Sequence, residues 1–164
     1  MFPDDIQASA AAVIQAALKT GVMIATAESC TGGLVSGALT AIAGSSSVLD
    51  RGFVTYSNEA KTELLGISDD LLARFGAVSE PVARAMALGA VERSRASAAV
   101  SITGVAGPGG GSADKPVGLV HFAAVGPGGG VVHVERRFGD MGREAVRLES
   151  VRVALALLLD AVTT

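Results

Sequence analysis

Val22-Met23-Ile24-Ala25 is a short apolar run that breaks at Thr26-Ala27-Glu28-Ser29-Cys30-Thr31-Gly32-Gly33. Leu34, Ala38, Leu39 and Ile42 then recur at helical spacing. The polar stretch is therefore an elbow between a strand, expected at 22–25, and a helix expected to reach about Ala43 and stop at Gly44. Backbone N–H groups at a helix start have no partner inside the helix, so they are free to bind an anion or an oxyanion. In this elbow they would lie beside the Glu28 carboxylate, the hydroxyls of Ser29 and Thr31 and the Cys30 thiol. That set of groups marks the floor of an active site.

On the N-terminal side, Ile6, Ala10, Val13, Ile14, Ala17 and Leu18 repeat at helical spacing. Asp4 or Asp5 is the expected cap of that helix and Lys19-Thr20-Gly21 its stop. On the C-terminal side, Gly52–Tyr56 reads as a strand. Short helices follow, one capped by Ser57 or Asn58 and one by Ser68, and a longer one opens at Ser79-Glu80-Pro81. Ala98–Thr103 is a strand, and 117–125 and 131–138 form a hairpin about Gly126-Pro127-Gly128-Gly129-Gly130. Asp140 is the expected cap of a final helix carrying Leu148, Val151, Leu155, Leu158 and Leu159. Strands and helices interleave with one late hairpin. The pattern predicts a three-layer α/β/α sandwich with a mixed sheet of about five strands, in one domain over 1–164.

Composition narrows the function. Apolar residues make up 49% and charged residues 18%, as in a globular chain with a real core. A net charge of −3 without a basic block gives no electrostatic footprint for nucleic acid. Six aromatic residues (five Phe, one Tyr) supply no base-stacking platform. The single cysteine excludes an internal disulfide framework. Asp4 and Asp5 stand where a secretory signal would carry positive charge, and the apolar run 153–159 is too short to cross a bilayer. A cytoplasmic location without membrane attachment is expected. No metal-binding spacing such as H-E-x-x-H or C-x-x-C is present, so neither a metal nor a cofactor is expected.

Ligands of open α/β sheets collect in loops at the carboxyl ends of strands. Four loops are considered for this role: 26–33, 44–47, 56–61 and 103–115. Ser29 is the candidate nucleophile, and a serine needs a base. His121 and His133 fall in the hairpin strands and are read as structural or surface residues. The G-x-S-x-G signature is absent. Lys61 is the better base. In the first turn of the helix after Ser57, helix polarity and partial burial both favour its neutral amine; an ordinary solvated lysine is the alternative. Tyr56, at a strand end, either donates to an oxyanion or simply packs. Cys30 has no histidine nearby in sequence and is set aside. The glycine-rich loop from Gly104 to Lys115 resembles a phosphate cradle without completing a nucleotide motif. The hydroxyls of 45–47 offer polar contacts to phosphate or ribose. Arg143 and Arg147 share a helix face, and Arg143 is placed to reach a phosphate.

Taken together, five motifs are familiar. Glu28-Ser29-Cys30-Thr31-Gly32-Gly33 resembles the E-S-x-T-G-G motif of the CinA C-terminal-domain family. The same family is matched by Tyr56-Ser57-Asn58-Glu59-Ala60-Lys61 with Leu64-Leu65-Gly66, and by Gly76-Ala77-Val78-Ser79-Glu80. Ile102-Thr103-Gly104-Val105-Ala106-Gly107-Pro108 and Lys115-Pro116-Val117-Gly118 complete the set in the family's order. The resemblance implies hydrolysis of nicotinamide mononucleotide to nicotinic acid mononucleotide and ammonia. It points to Ser29 and Lys61 as the catalytic pair with Tyr56 beside them, and to Ser46, Thr103 and Arg143 as polar site positions. Glu28, Thr31, Gly32 and Gly104 complete the expected substrate contacts. The larger nucleotide-hydrolysing domain that often precedes this one is not seen in the sequence, so a stand-alone amidase is expected. The rival expectation is a non-catalytic nucleotide-binding or competence-related interaction module. The small-residue helix at 31–43 and the apolar end of the last helix suggest a homo-oligomer.

Overall fold

The computed structural model describes residues 1–164. It is the expected three-layer α/β/α sandwich about a mixed five-stranded sheet. The strands are β1 (Ile24–Glu28), β2 (Leu49–Val54), β3 (Ala98–Gly104), β4 (Leu119–Val125) and β5 (Val131–Arg137). They are ordered β2-β1-β3-β4-β5. β1 pairs parallel with β2 and β3, and the β3–β4 and β4–β5 pairs are antiparallel. Helices α1 (Asp4–Thr20), α2 (Leu34–Thr40) and α6 (Arg143–Thr163) cover one face. The other face carries α3 (Asn58–Leu65), α4 (Asp69–Phe75) and α5 (Glu80–Glu92). No helix is long and apolar enough to cross a membrane.

Alternation along the strands builds two different cores. Ile24, Val100, Ile102 and Phe122 point toward α1, α2 and α6, where Ile6, Ile14, Leu39, Leu155 and Leu158 fill the space. The residues between them, Ala25, Ala27, Ala99 and Ala123, face α5. These small side chains let α5 lie close to the sheet, with Val82, Ala83, Met86 and Ala90 against it. Ser101 belongs to this alanine layer and donates its hydroxyl to the Ala83 carbonyl at 2.6 Å. The apolar faces of α2 and α6 pack largely into the first core, with Leu34, Leu157 and Leu159 partly buried at its margin.

Local chemistry sets most element ends. Ser57 and Ser68 cap α3 and α4 through side-chain bonds from Ala60 N–H (3.0 Å) and Leu71 N–H (3.1 Å). Three expectations need correction. α1 has Pro3, not Asp4 or Asp5, at its N-cap. α6 starts at Arg143 after Gly142, so Asp140 caps nothing. β1 runs from Ile24 to Glu28 and is buried throughout, placing Thr26 and Glu28 inside the sheet. α2 correspondingly starts at Leu34 and ends at Thr40, before a 3-10 turn at Ser45–Ser47.

Glu28 sits in the strand because α2 needs it there. α2 has no side-chain cap of its own, and Gly33 stands at its N-cap. The Glu28 carboxylate accepts Val35 N–H at 2.9 Å and Ser36 N–H at 3.0 Å, while Thr26 Oγ1 donates to it at 3.3 Å. This fully buried acid is a remote helix cap. Glu28→Gln places an NH2 against one of the two amides and should cost about 2 kcal/mol. A lowered urea midpoint at unchanged m-value is the expected reading; a raised KM with unchanged stability would return Glu28 to the substrate site.

Candidate active site

Strand parity places Ser29. Its N–H continues the β1–β3 ladder by donating to Ile102 carbonyl at 2.9 Å. As the next odd residue after Ala27, it emerges on the α3–α5 side, beside Thr103. On the other side of β1, Thr55 N–H donates to Glu28 carbonyl at 2.8 Å, which brings the β2–α3 junction alongside. α3 then carries Lys61 inward. The Lys61 side chain is 1% exposed, among the largest fully buried side chains of the protein. Its Nζ lies 3.0 Å from Ser29 Oγ and donates to the Thr55 carbonyl at 2.8 Å. Residues 32 positions apart in sequence thus form one hydrogen-bonded pair.

Burial pushes the Lys61 ammonium below its ordinary value near 10.5. A Cys30 thiolate would oppose this shift. The Cys30 thiol, however, is itself buried and pushed up to about 12, so it stays neutral and its opposition lapses. The same fact removes Cys30 as a nucleophile, although it lines the cleft next to Ser29. Lys61 Nζ donates to both the Thr55 carbonyl and Ser29 Oγ; once deprotonated, the amine would keep an N–H on Thr55 and turn its lone pair to the Ser29 hydroxyl.

The pair opens into a cleft of about 300 Å³. Thr103, Gly104 and the 105–110 loop form one wall, Ala77 and Val78 another, and Tyr56 and Arg143 the rim. Tyr56 is 61% exposed, so it is not a packing residue; its hydroxyl accepts from Arg143 Nη2 at 3.0 Å. Arg143 Nη1 donates to the Gly107 carbonyl at 2.8 Å and ties the rim to the glycine loop. Thr103 donates to the Ala77 carbonyl at 2.8 Å, joining two walls. Gly104 is bare because a Cβ there would meet Val120 Cγ2 at 2.7 Å and the Leu119 carbonyl at 2.8 Å. Arg143 supplies a positive charge at the rim, and no Asp or Glu lines the cleft. In a chain of net charge −3, that local excess of positive charge suits an anionic ligand.

Three of the four proposed loops meet here, and 44–47 does not. Val48 carbonyl accepts Ile24 N–H at 2.8 Å, so the Ser45–Ser47 turn sits at the start of β1, the opposite end of the sheet from Ser29. Ser46 is therefore outside the cleft. Thr31 is fully buried with an unpartnered hydroxyl, and neither it nor Gly32 lines the cleft. His121 and His133 pair with each other, Nδ1 to Nε2 at 2.9 Å, and also lie outside it. Two contributors were not anticipated. The Thr55 carbonyl holds Lys61, and Arg147 donates to the carbonyls of Cys30 and Thr31 from behind the elbow. The spacing of Arg147 from Arg143 was the available signal for the second.

Comparison with known proteins identifies relatives of the whole chain. The chain is 54% identical over 148 residues to the nicotinamide-nucleotide amidohydrolase PncC of Enterobacter agglomerans, covering 89% of each. It is 52% identical to PncC of Escherichia coli strain K12 over 145 residues, 88% of this chain and 87% of that protein. The crystal structure of the competence/damage inducible protein CihA from Agrobacterium tumefaciens superposes with a TM-score of 0.96 at 56% identity, covering 98% of both chains. The family model for the CinA C-terminal domain matches residues 6–162. With that match over nearly its whole length, the chain belongs to the CinA C-terminal domain family.

Proposed function

We propose that residues 1–164 act as one amidase domain that hydrolyses nicotinamide mononucleotide to nicotinic acid mononucleotide and ammonia. Ser29 is the nucleophile and Lys61 its base. The observation that carries this reading is the 3.0 Å contact between a buried lysine, shifted toward its neutral form, and a serine hydroxyl at the floor of an open cleft. A site that only binds has no use for a desolvated amine aimed at a serine. The relatives named nicotinamide-nucleotide amidohydrolase supply the substrate class.

The chemistry follows from these positions. Lys61 Nζ takes the Ser29 proton as Oγ bonds to the carboxamide carbon, and the carbonyl π electrons move to oxygen. The N–H group of Cys30, which lines the cleft beside Ser29, has no acceptor within the chain and serves as an oxyanion donor. When the oxyanion collapses, the C–N bond breaks, and Lys61 returns the proton so that ammonia leaves. Water then gives its proton to Lys61 and adds to the acyl-serine; expulsion of Ser29 Oγ, reprotonated by Lys61, yields the carboxylate product. Arg143 keeps donors free beyond its bonds to Gly107 and Tyr56 and meets the substrate phosphate at the rim.

Purified protein incubated with nicotinamide mononucleotide should release ammonia and nicotinic acid mononucleotide in equal amounts. Binding seen by calorimetry without ammonia release would replace this reading with that of a nucleotide-binding module.

A further inference from the structure

α6 sends two arginines toward the site from successive turns, and only Arg143 belongs to the cleft wall. Arg147 lies half-buried behind the elbow. Its Nε donates to the Cys30 carbonyl at 3.1 Å and its Nη2 to the Thr31 carbonyl at 3.2 Å. It has no carboxylate partner. A guanidinium withdrawn from water without an acid is costly unless its donors are well used. Here they are spent on two consecutive carbonyls of the turn that carries Ser29.

Those carbonyls belong to peptide groups whose other ends are the N–H groups of Thr31 and Gly32. The only cis peptide bond is Gly107–Pro108, so in both elbow peptides the N–H points opposite to its C=O. With the Cys30 carbonyl turned to Arg147, the Thr31 N–H is turned to the other side and has no acceptor in the chain. The Gly32 N–H is spent on the Ser29 carbonyl at 3.0 Å, closing the turn. Gly32 holds φ +58°, a left-handed conformation that the turn requires, and Arg147 Nη2 lies 3.4 Å from where its Cβ would stand. A cation on a carbonyl oxygen draws electron density through the peptide and strengthens its N–H as a donor. Bonds to two adjacent carbonyls also fix both peptide planes.

We propose that Arg147 is a positioning residue for the Ser29 elbow, holding the 30–32 peptides, and with them the Ser29 turn, in place without touching substrate. This rests on Ser29 being the nucleophile. The test compares Arg147→Met, Arg147→Lys and Ser29→Ala in steady-state ammonia release from nicotinamide mononucleotide, with rates expressed per folded protein. Arg147→Met should lower kcat roughly 30- to 100-fold, with KM within about threefold, since it loosens the turn that aims Ser29 without deleting the nucleophile. Arg147→Lys should recover part of that loss, because an ammonium can still reach one carbonyl. Labelling of Ser29 by a fluorophosphonate probe should slow in parallel with kcat. Three results overturn the proposal: an unchanged kcat in Arg147→Met, a rise in KM in place of the fall in kcat, or failure of both Arg147 variants to fold, which makes the residue structural. If Ser29→Ala is inactive while Arg147→Met is not, only this proposal fails. If Ser29→Ala keeps its turnover, the nucleophile reading fails first.

Discussion

Ser29→Ala should abolish turnover of nicotinamide mononucleotide while leaving the substrate bound. Removal of the attacking atom from a nucleophile–base pair is expected to cost at least about 10,000-fold in kcat, or roughly 5 kcal/mol of barrier. Affinity should shift by less than about 1 kcal/mol, because one hydroxyl is lost from a cleft whose other polar walls stay in place. The fold should tolerate the change: Lys61 keeps its bond to the Thr55 carbonyl, and Ser29 holds its backbone position through its own N–H to Ile102. Calorimetric titration and an ammonia assay on the same preparation read the two effects separately. Intact-mass analysis of parent enzyme quenched during turnover should show an acyl adduct on the peptide containing Ser29. Retained ammonia release in Ser29→Ala would sink the assignment and leave water as the direct nucleophile.

The parts of this arrangement that local chemistry controls were legible in the sequence. Ser57 with Gly66 and Ser68 with Gly76 bracket their helices because a hydroxyl and a bare Cα act within a few residues. Interleaved apolar runs gave the layers and the late hairpin for the same reason. Local sequence ends β1 too early because Thr26 and Glu28 are polar, and only the unpaired amides of α2, packed over the strand, make a buried glutamate favourable. That partner is supplied by tertiary structure, and no window of sequence contains it. Ser46 is a different kind of miss. Residues 44–47 follow a helix and precede a parallel strand, so topology sends them to the edge of the sheet away from the loops that follow β1 and β3. Element order alone carried that information. The position of Lys61 at a helix start is a local signal for a base, but its meeting with Ser29 depends on Thr55 joining the Glu28 carbonyl and on α3 turning inward from there, which no window of sequence contains.

In the proposed mechanism Lys61 is where burial becomes reactivity, and its substitution should separate the two. Lys61→Met removes the base and should lower kcat by roughly 1,000-fold or more. Lys61→Arg should fail as badly, because a guanidinium stays protonated across the working range and cannot accept the serine proton. The parent should carry the signature of the amine in its pH profile. Only neutral Lys61 takes the Ser29 proton, and burial lowers its pKa below the ordinary value near 10.5. kcat/KM should therefore rise with pH through that depressed pKa and level off above it. Stability follows with a definite sign. Between the folded pKa and 10.5 the unfolded chain holds the extra proton, so unfolding free energy increases as pH rises through that window. Below the folded pKa this contribution is lost and the curve is flat. Urea denaturation across the alkaline range should show the slope in the parent and its loss in Lys61→Met. A parent profile independent of pH, together with an active Lys61→Met, would show that the buried amine is a packing group and that Ser29 draws its base from elsewhere.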